Sequence, residues 1–267
     1  EECRINILNT KLGKINYVVK HKPRKPYIFF IGGLGSTISS WDDQFEYFKN
    51  SFSMIAFDNL GSGKSSNVGK PLTMEIYADN CFEILEQLKI ENAHVVGKSM
   101  GGMIAQVFAA KYGKKVKKLV LACTCSSRDR INQEIIDISQ KIVSKVGMKE
   151  IWFNAMLLGY SRDYIKANFS KYKKTKFSDS KKEIEGYLNQ CKAISKLDNN
   201  DYLLKIKSDT LIIYGKDDLI VPAEKSCEMS RYLTNNQVIS FPGGHGFWKE
   251  NKALVNPEVY AFLIDKS

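Results

Sequence analysis

Short apolar strands that alternate with helical segments limit this chain's fold more than any other feature of the sequence. Eight strands are predicted, and the later ones are continuous apolar blocks such as residues 28–31 and 211–214. A strand that is apolar on both faces belongs in a parallel sheet covered by helices on both sides. The sequence therefore predicts an α/β fold with a mostly parallel central sheet of about eight strands flanked by helices.

The element bounds follow from β-branched and aromatic runs and from apolar residues at helical spacing. The predicted strands are 5–8, 15–19, 27–31, 54–57, 94–97, 118–122, 210–214 and 238–241, with a turn at 9–13. The predicted helices are 74–88, 100–112, 131–146, 181–197, 223–232 and 257–264.

The alternation stops between residues 126 and 205, where helical patterns occur without a convincing strand. This stretch is predicted to be a helical insertion into a core domain made of residues 1–125 and 206–267. It holds 16 Lys+Arg against 10 Asp+Glu, which is more than half of the net charge of +11. Residues 171–182 contain six Lys and one acid, and a solvated surface is the favoured interpretation of that run.

Composition excludes several classes of protein. With 43% hydrophobic residues, 14 Phe and 13 Tyr, the chain is not intrinsically disordered. No apolar stretch approaches the roughly 20 residues that cross a bilayer, and Glu1–Glu2–Cys3–Arg4 lacks the apolar run of a signal peptide. The six Cys are sparse, and Cys123 and Cys125 should point to opposite faces of a strand. Reduced thiols and a cytoplasmic location are expected.

Gly97–Lys98–Ser99–Met100–Gly101 has the pattern G-x-S-x-G, at a sharp turn from a predicted strand into a predicted helix. Such a turn holds the serine in a strained backbone conformation with its hydroxyl exposed, and the glycines let strand and helix pack closely. Ser99 is therefore the candidate nucleophile.

A serine nucleophile needs a base and an acid that orients the base. Of three histidines, only His245 lies in a glycine-rich loop directly after a predicted strand, at the sheet edge where α/β proteins place their sites. Asp217 and Asp218 both follow the strand 210–214. Spacing alone does not choose between them, because one of them could cap a helix or stabilise the turn.

These motifs resemble the α/β-hydrolase fold family over residues 27–264. The order Ser99, Asp218, His245 is the family's order of nucleophile, acid and base, and the family pattern G-x-x-D with a later Pro favours Asp218 over Asp217. The family fingerprint D-x-x-G-x-G-x-S is similar to residues 58–65, and Trp41 and the G-G-x-G-S turn at residues 32–36 complete the resemblance.

The resemblance implies further site residues. The backbone N–H groups of Leu34 and Met100 would form an oxyanion hole, although relatives often have His-Gly at residues 32–33. The insertion would form a helical cap over the site. Substrate-binding residues would be Trp41, Trp152, Phe153 and Met156, with Leu157 and Leu158 also in the acyl pocket. No metal and no organic cofactor would be needed.

Lys98 departs from the family, in which His, Asn, Tyr or Trp is common at this position. A pairing of Lys98 with a buried acid is the favoured explanation. The alternative is that Lys98 attracts an anionic acyl group.

The implied function is hydrolysis of a carboxylic ester or thioester through an acyl-enzyme on Ser99. The serine excludes relatives that use an aspartate nucleophile, such as haloalkane dehalogenases and epoxide hydrolases. Carbon–carbon hydrolases, lactonases and slow-turnover receptors of the same fold stay open, as do pimeloyl-acyl carrier protein methyl ester esterases of biotin synthesis.

The expected partner is a small-molecule ester. An acyl carrier protein at the basic cap is a further candidate, because carrier proteins are strongly acidic. Nucleic acid is not an expected partner, because the chain has no zinc-finger spacing or RNA-recognition motif, and the Lys-rich run offers only Tyr172 and Phe177 for stacking.

Overall fold

A computed structural model describes residues 5–175 and 177–265. The terminal residues 1–4, on which the expectation about a signal peptide rests, and Lys176 of the Lys-rich run lie outside the described residues. The strands are β1 (Ile5–Thr10), β2 (Gly13–Lys20), β3 (Tyr27–Ile31), β4 (Ser53–Phe57), β5 (Ala93–Lys98), β6 (Val116–Ala122), β7 (Asp209–Gly215) and β8 (Asn236–Phe241).

All eight strands form one sheet in the order β1-β2-β4-β3-β5-β6-β7-β8. The β1–β2 and β2–β4 pairs are antiparallel, and every other pair is parallel. The hairpin turn is shorter than predicted, because β1 and β2 extend until Thr10 pairs with Gly13. The prediction of a mostly parallel eight-stranded sheet is confirmed. It brings the loops that follow β3, β5, β6, β7 and β8 to one edge.

Helices cover both faces of this sheet. They are α1 (Asp42–Phe48), α2 (Met74–Gln87), α3 (Met100–Lys111), α4 (Arg130–Lys145), α5 (Met148–Gly159), α6 (Arg162–Lys174), α7 (Lys181–Ser195), α8 (Asn200–Leu203), α9 (Ala223–Glu228), α10 (Phe247–Glu250) and α11 (Lys252–Ile264). The prediction for the last helix began too late, at Pro257. Burial of Val255, Val259 and Phe262 keeps α11 continuous through the proline.

The core consists of two apolar clusters, one on each face of the sheet. Alternate residues of each strand enter opposite clusters; for example, Val95 packs with α2 and α3, whereas Val96 packs with α1 and α11. Cys123 and Cys125 divide in the same way, although both lie beyond the end of β6. Burial raises the pKa of the Cys123 thiol to about 12, so this sulfur stays protonated.

The chain between β6 and β7 is helical, and the two ends of this insertion lie side by side. Ser127 and Asp198 pair as an antiparallel bridge, and the Asn199 N–H donates to the Ser126 carbonyl at 2.7 Å. Helices α4 to α7 lie between these ends. The insertion therefore leaves and rejoins the core at one narrow connection next to the edge of the sheet that carries Ser99.

The surface of the insertion is basic where the Lys-rich run lies. Lys171, Lys173 and Lys174 are exposed at the end of α6, and Lys181 and Lys182 begin α7. Across residues 5–175 and 177–265, none of the helices is long and apolar enough to traverse a lipid bilayer.

Candidate active site

Ser99 is the single residue between the end of β5 and the start of α3. Its φ of 54° and ψ of −123° place it in a region that residues with side chains rarely adopt. Two bonds hold this turn: the Ser99 N–H donates to the Ala122 carbonyl at 2.9 Å, and the Thr124 hydroxyl donates to the Ser99 carbonyl at 2.8 Å. The strained turn projects the Ser99 hydroxyl beyond the sheet.

The hydroxyl of Ser99 begins a chain of hydrogen bonds. Its Oγ lies 3.0 Å from Nε2 of His245, in the loop after β8. Nδ1 of the same ring lies 2.7 Å from Oδ2 of Asp218, in the loop after β7. A carboxylate at Nδ1 favours the tautomer whose Nε2 can accept the serine proton.

Burial distinguishes the two adjacent aspartates. The Asp218 side chain is fully shielded from solvent, and its Oδ1 accepts the N–H groups of Ile220 and Val221 at 2.8 and 2.9 Å. Asp217 is exposed. Asp218 thus orients the histidine with one oxygen and stabilises its own turn with the other. The sequence suggested that one aspartate would orient the histidine and the other would hold the turn, but Asp218 does both.

The turn after β3 lies directly against Ser99. A Cβ added at Gly33 would lie 3.3 Å from the Ser99 Cβ and from the Lys98 carbonyl oxygen, so a side chain here would crowd Ser99. In the described part of the chain, the N–H groups of Leu34 and Met100 donate no hydrogen bond. Leu34 lines the cavity together with Ser99, Met100 follows Ser99 directly, and two free donors beside a serine hydroxyl could stabilise a tetrahedral oxyanion.

Ser99 and His245 open into a cavity of about 710 Å³. The helical insertion supplies its apolar walls, which include Ile136, Trp152, Phe153, Met156 and Leu158. Trp152, Phe153 and Met156 thus lie where substrate-binding residues were expected. Among the described residues, no group of three or more His, Cys, Asp or Glu side chains is placed to hold a metal ion.

Two family patterns match the chain. The α/β-hydrolase fold pattern matches residues 26–146, and that of serine hydrolases (FSH1) matches residues 93–255, which is more than half of the chain. The protein belongs to the α/β-hydrolase fold family of serine hydrolases. It is an enzyme of the hydrolase class.

Known relatives of this α/β hydrolase act on esters and lactones. A bifunctional esterase/perhydrolase of Acinetobacter calcoaceticus is 29% identical over 89% of this chain and 91% of its own. The 3-oxoadipate enol-lactonase 2 of Acinetobacter baylyi is 24% identical over 93% of this chain and 92% of its own.

Solved structures share the fold. The enol-lactonase from Burkholderia xenovorans has a TM-score of 0.90 at 21% identity, over 97% of this chain and all of the other. MGS-M2, an α/β hydrolase from a deep-sea metagenome library, has a TM-score of 0.90 at 24% identity over 98% of each chain.

Two residues expected in the acyl pocket of this hydrolase lie elsewhere. Trp41 is 2% exposed, packs on Phe30 with ring centroids 4.8 Å apart, and does not line the cavity. Leu157 is 49% exposed on the outer face of α5. Both expectations were wrong, because an aromatic or apolar residue near the site does not by itself show which way its side chain points.

The favoured explanation of Lys98 was also wrong. Lys98 lines the cavity and forms no ion pair with any carboxylate of the described residues. Burial lowers the pKa of Lys249, which also lines the cavity, and repulsion from Lys171 and Lys98 lowers it further, whereas Asp43 and Asp42 raise it. Lys98 thus lies close enough to Lys249 to repel it, without a paired carboxylate among the described residues.

Gln190 is a site residue that the sequence did not reveal. It lies on α7 and is fully buried. Its Oε1 accepts the Gly35 N–H at 2.8 Å, and its Nε2 donates to the Leu60 carbonyl at 2.9 Å and to Ser62 Oγ at 2.8 Å. The insertion is thereby bonded to the turn that carries Leu34. No local pattern marks a contact across 155 residues.

Gln190→Met should lower both stability and turnover. Methionine has a similar size but removes the partner of the Gly35 N–H and of Ser62 Oγ, and it leaves the Leu60 carbonyl with only the Tyr77 hydroxyl. We therefore expect the free energy of unfolding to fall by about 3 kcal/mol. We also expect kcat to fall more than KM changes, because the Leu34 donor loses its support. Urea unfolding and steady-state kinetics measure these effects, with the exposed Gln237→Met as the control. An unchanged kcat would show that Gln190 does not position the turn.

Proposed function

We propose that this protein hydrolyses carboxylic esters or thioesters through an acyl-enzyme on Ser99. The observation that carries the proposal is the continuous chain from Ser99 Oγ to His245 Nε2 and from His245 Nδ1 to Asp218 Oδ2, at 3.0 and 2.7 Å. Three residues from separate turns are hydrogen-bonded in the order nucleophile, base and acid, which is the arrangement that a serine hydrolase uses.

The first half of the reaction forms the acyl-enzyme. His245 Nε2 takes the proton as Ser99 Oγ attacks the carbonyl carbon, and Asp218 stabilises the imidazolium that results. The N–H groups of Leu34 and Met100 stabilise the oxyanion, an effect worth roughly 3–4 kcal/mol per donor. The imidazolium then gives its proton to the leaving oxygen or sulfur as the carbonyl–heteroatom bond breaks.

The second half returns the free enzyme. His245 removes a proton from a water molecule, which attacks the acyl carbon, and Ser99 leaves with that proton. The insertion acts as a cap in this proposal, and its Trp152, Phe153 and Met156 bind the acyl chain in the cavity. A lactone is a cyclic ester that the same steps open, and the enol-lactonases among the relatives favour its inclusion.

The two adjacent aspartates provide a matched test of this mechanism. Asp218→Asn should lower kcat for p-nitrophenyl esters by about 10⁴-fold, because the amide no longer favours the reactive tautomer of His245. Asp217→Asn makes the same chemical change one residue away at an exposed position and should leave kcat nearly unchanged. Equal losses in the two variants would contradict the proposal.

The exposed lysines of α6 support a second proposal, an acidic acyl carrier protein as the donor of the acyl chain. Lys171, Lys173 and Lys174 lie beside the cavity wall that Tyr172 contributes. Binding to acyl carrier protein should weaken as salt rises, and Lys174→Glu should weaken it more than the matched Lys117→Glu on β6. Affinity at low salt no higher than that of a neutral protein would eliminate the carrier.

A further inference from the structure

Arg128 lines the active-site cavity and has no partner among the described residues. It lies in the loop between β6 and α4, and its Nε is shut off from solvent without a hydrogen bond. Its Nη atoms donate no hydrogen bond to a described residue either, and the residue as a whole is half-buried. A guanidinium without hydrogen-bond partners inside a cavity is unfavourable, and an anion bound from outside the chain would supply those partners.

The two nearest acids on the same segment are engaged elsewhere. Asp129 caps α4 by accepting the Asn132 N–H at 2.8 Å, and its other oxygen lies 3.9 Å from Lys225 Nζ. Asp137 accepts the side-chain amides of Gln133 and Gln140 at 3.0 and 3.3 Å. Neither acid forms an ion pair with Arg128, so its charge is compensated only at longer range.

The surroundings make this isolation costly. Apolar side chains of Met103, Ile136 and Ile194 line the same cavity. Burial lowers the pKa of Arg128, with the acids and cysteines around it acting in the opposite direction. A guanidinium that loses water without gaining a bidentate partner lowers the stability of the fold, so its presence is best explained by a bound ligand that supplies one.

We propose that Arg128 binds a second carboxylate of the substrate, so that the preferred substrates are monoesters, monothioesters or lactones of dicarboxylic acids. This inference rests on the proposed function, because the ester carbonyl must lie at Ser99 while the free carboxylate reaches Arg128. A planar carboxylate of single charge matches one guanidinium in both geometry and charge.

The test compares p-nitrophenyl monoesters of dicarboxylic acids, over a range of chain lengths, with isosteric esters that end in a carboxamide. The wild-type kcat/KM should favour the carboxylate at the chain length that spans Ser99 to Arg128. Arg128→Gln should lower the ratio of carboxylate to carboxamide kcat/KM by at least about 30-fold. Arg130→Gln removes the same charge from an exposed position two residues away and should leave the ratio unchanged.

The outcomes separate this inference from the proposed function. A wild-type ratio near one, or a ratio that Arg128→Gln does not lower, would overturn the role of Arg128 while leaving ester hydrolysis intact. A ratio lowered instead by Lys98→Ala would assign the carboxylate to Lys98. If Arg128→Gln does not fold, Arg128→Lys should still lower the ratio, because an ammonium group cannot form the bidentate pair.

Binding gives a readout that is independent of turnover. In Ser99→Ala protein, calorimetric titration with the carboxylate ester should show tighter binding than with the carboxamide ester, and adding Arg128→Gln should remove that difference. Equal affinity of the two esters in Ser99→Ala would overturn the inference. Continued hydrolysis by Ser99→Ala would overturn the proposed function instead.

Discussion

Ser99→Ala should lower kcat for p-nitrophenyl esters by about 10⁴- to 10⁶-fold, with the fold intact. The side chain loses only its hydroxyl, at a position whose backbone conformation is held by bonds to Ala122 and Thr124. The remaining rate would come from the Leu34 and Met100 donors and from binding, which do not depend on the nucleophile. Stopped-flow and steady-state assays, with thermal unfolding as a check on folding, measure the effect.

Ser36→Ala is the matched control. Ser36 lines the same cavity but is bonded to neither His245 nor Asp218. Its loss should change kcat far less than the loss of Ser99. Comparable losses in the two variants would show that the hydroxyl of Ser99 has no special role.

Gly101→Ala should lower the free energy of unfolding by at least about 3 kcal/mol. A Cβ at Gly101 would lie 2.0 Å from the Ile31 carbonyl oxygen and 2.6 Å from that of Gly32, both backbone atoms that cannot rotate away. Helix α3 would have to move off β3, which also displaces the turn that carries Leu34. We therefore expect kcat/KM to fall together with stability.

The close approach of α3 to β3 and the helix propensity of alanine predict opposite changes in stability for Gly101→Ala. Alanine stabilises a helix by about 1 kcal/mol relative to glycine, so helix propensity alone predicts a gain. Gly113→Ala introduces the same change where no atom lies within 4 Å of the new Cβ, and it should leave stability unchanged or slightly higher. Urea unfolding of both variants measures the difference, and a stability gain in Gly101→Ala would contradict the close approach of α3 to β3.

The parts of the site that follow a strand were predictable from sequence. Ser99, Asp218 and His245 each follow a strand of the parallel part of the sheet, and the carboxyl ends of parallel strands meet at one edge of a sheet. Local sequence therefore predicted where these three residues lie. It did not separate Asp217 from Asp218, because burial of one carboxylate depends on how the loop folds back onto the core.

The parts of the site that depend on distant contacts were not predictable. Gln190 reaches Gly35 across the connection between insertion and core, and Arg128 stands out only because its neighbouring acids are engaged elsewhere. The short helices α1, α8 and α10 span too few turns to show an apolar stripe. Within the insertion, α5 and α6 were not predicted.

The central claim is that Ser99 is the nucleophile, and covalent labelling tests it most directly. A fluorophosphonate probe should add once to the protein, peptide mass spectrometry should place the adduct on Ser99, and Ser99→Ala should not react. His245→Ala should react far more slowly, because no base remains to accept the serine proton. Labelling of Ser99→Ala as fast as wild type, or an adduct on any other residue, would contradict the account.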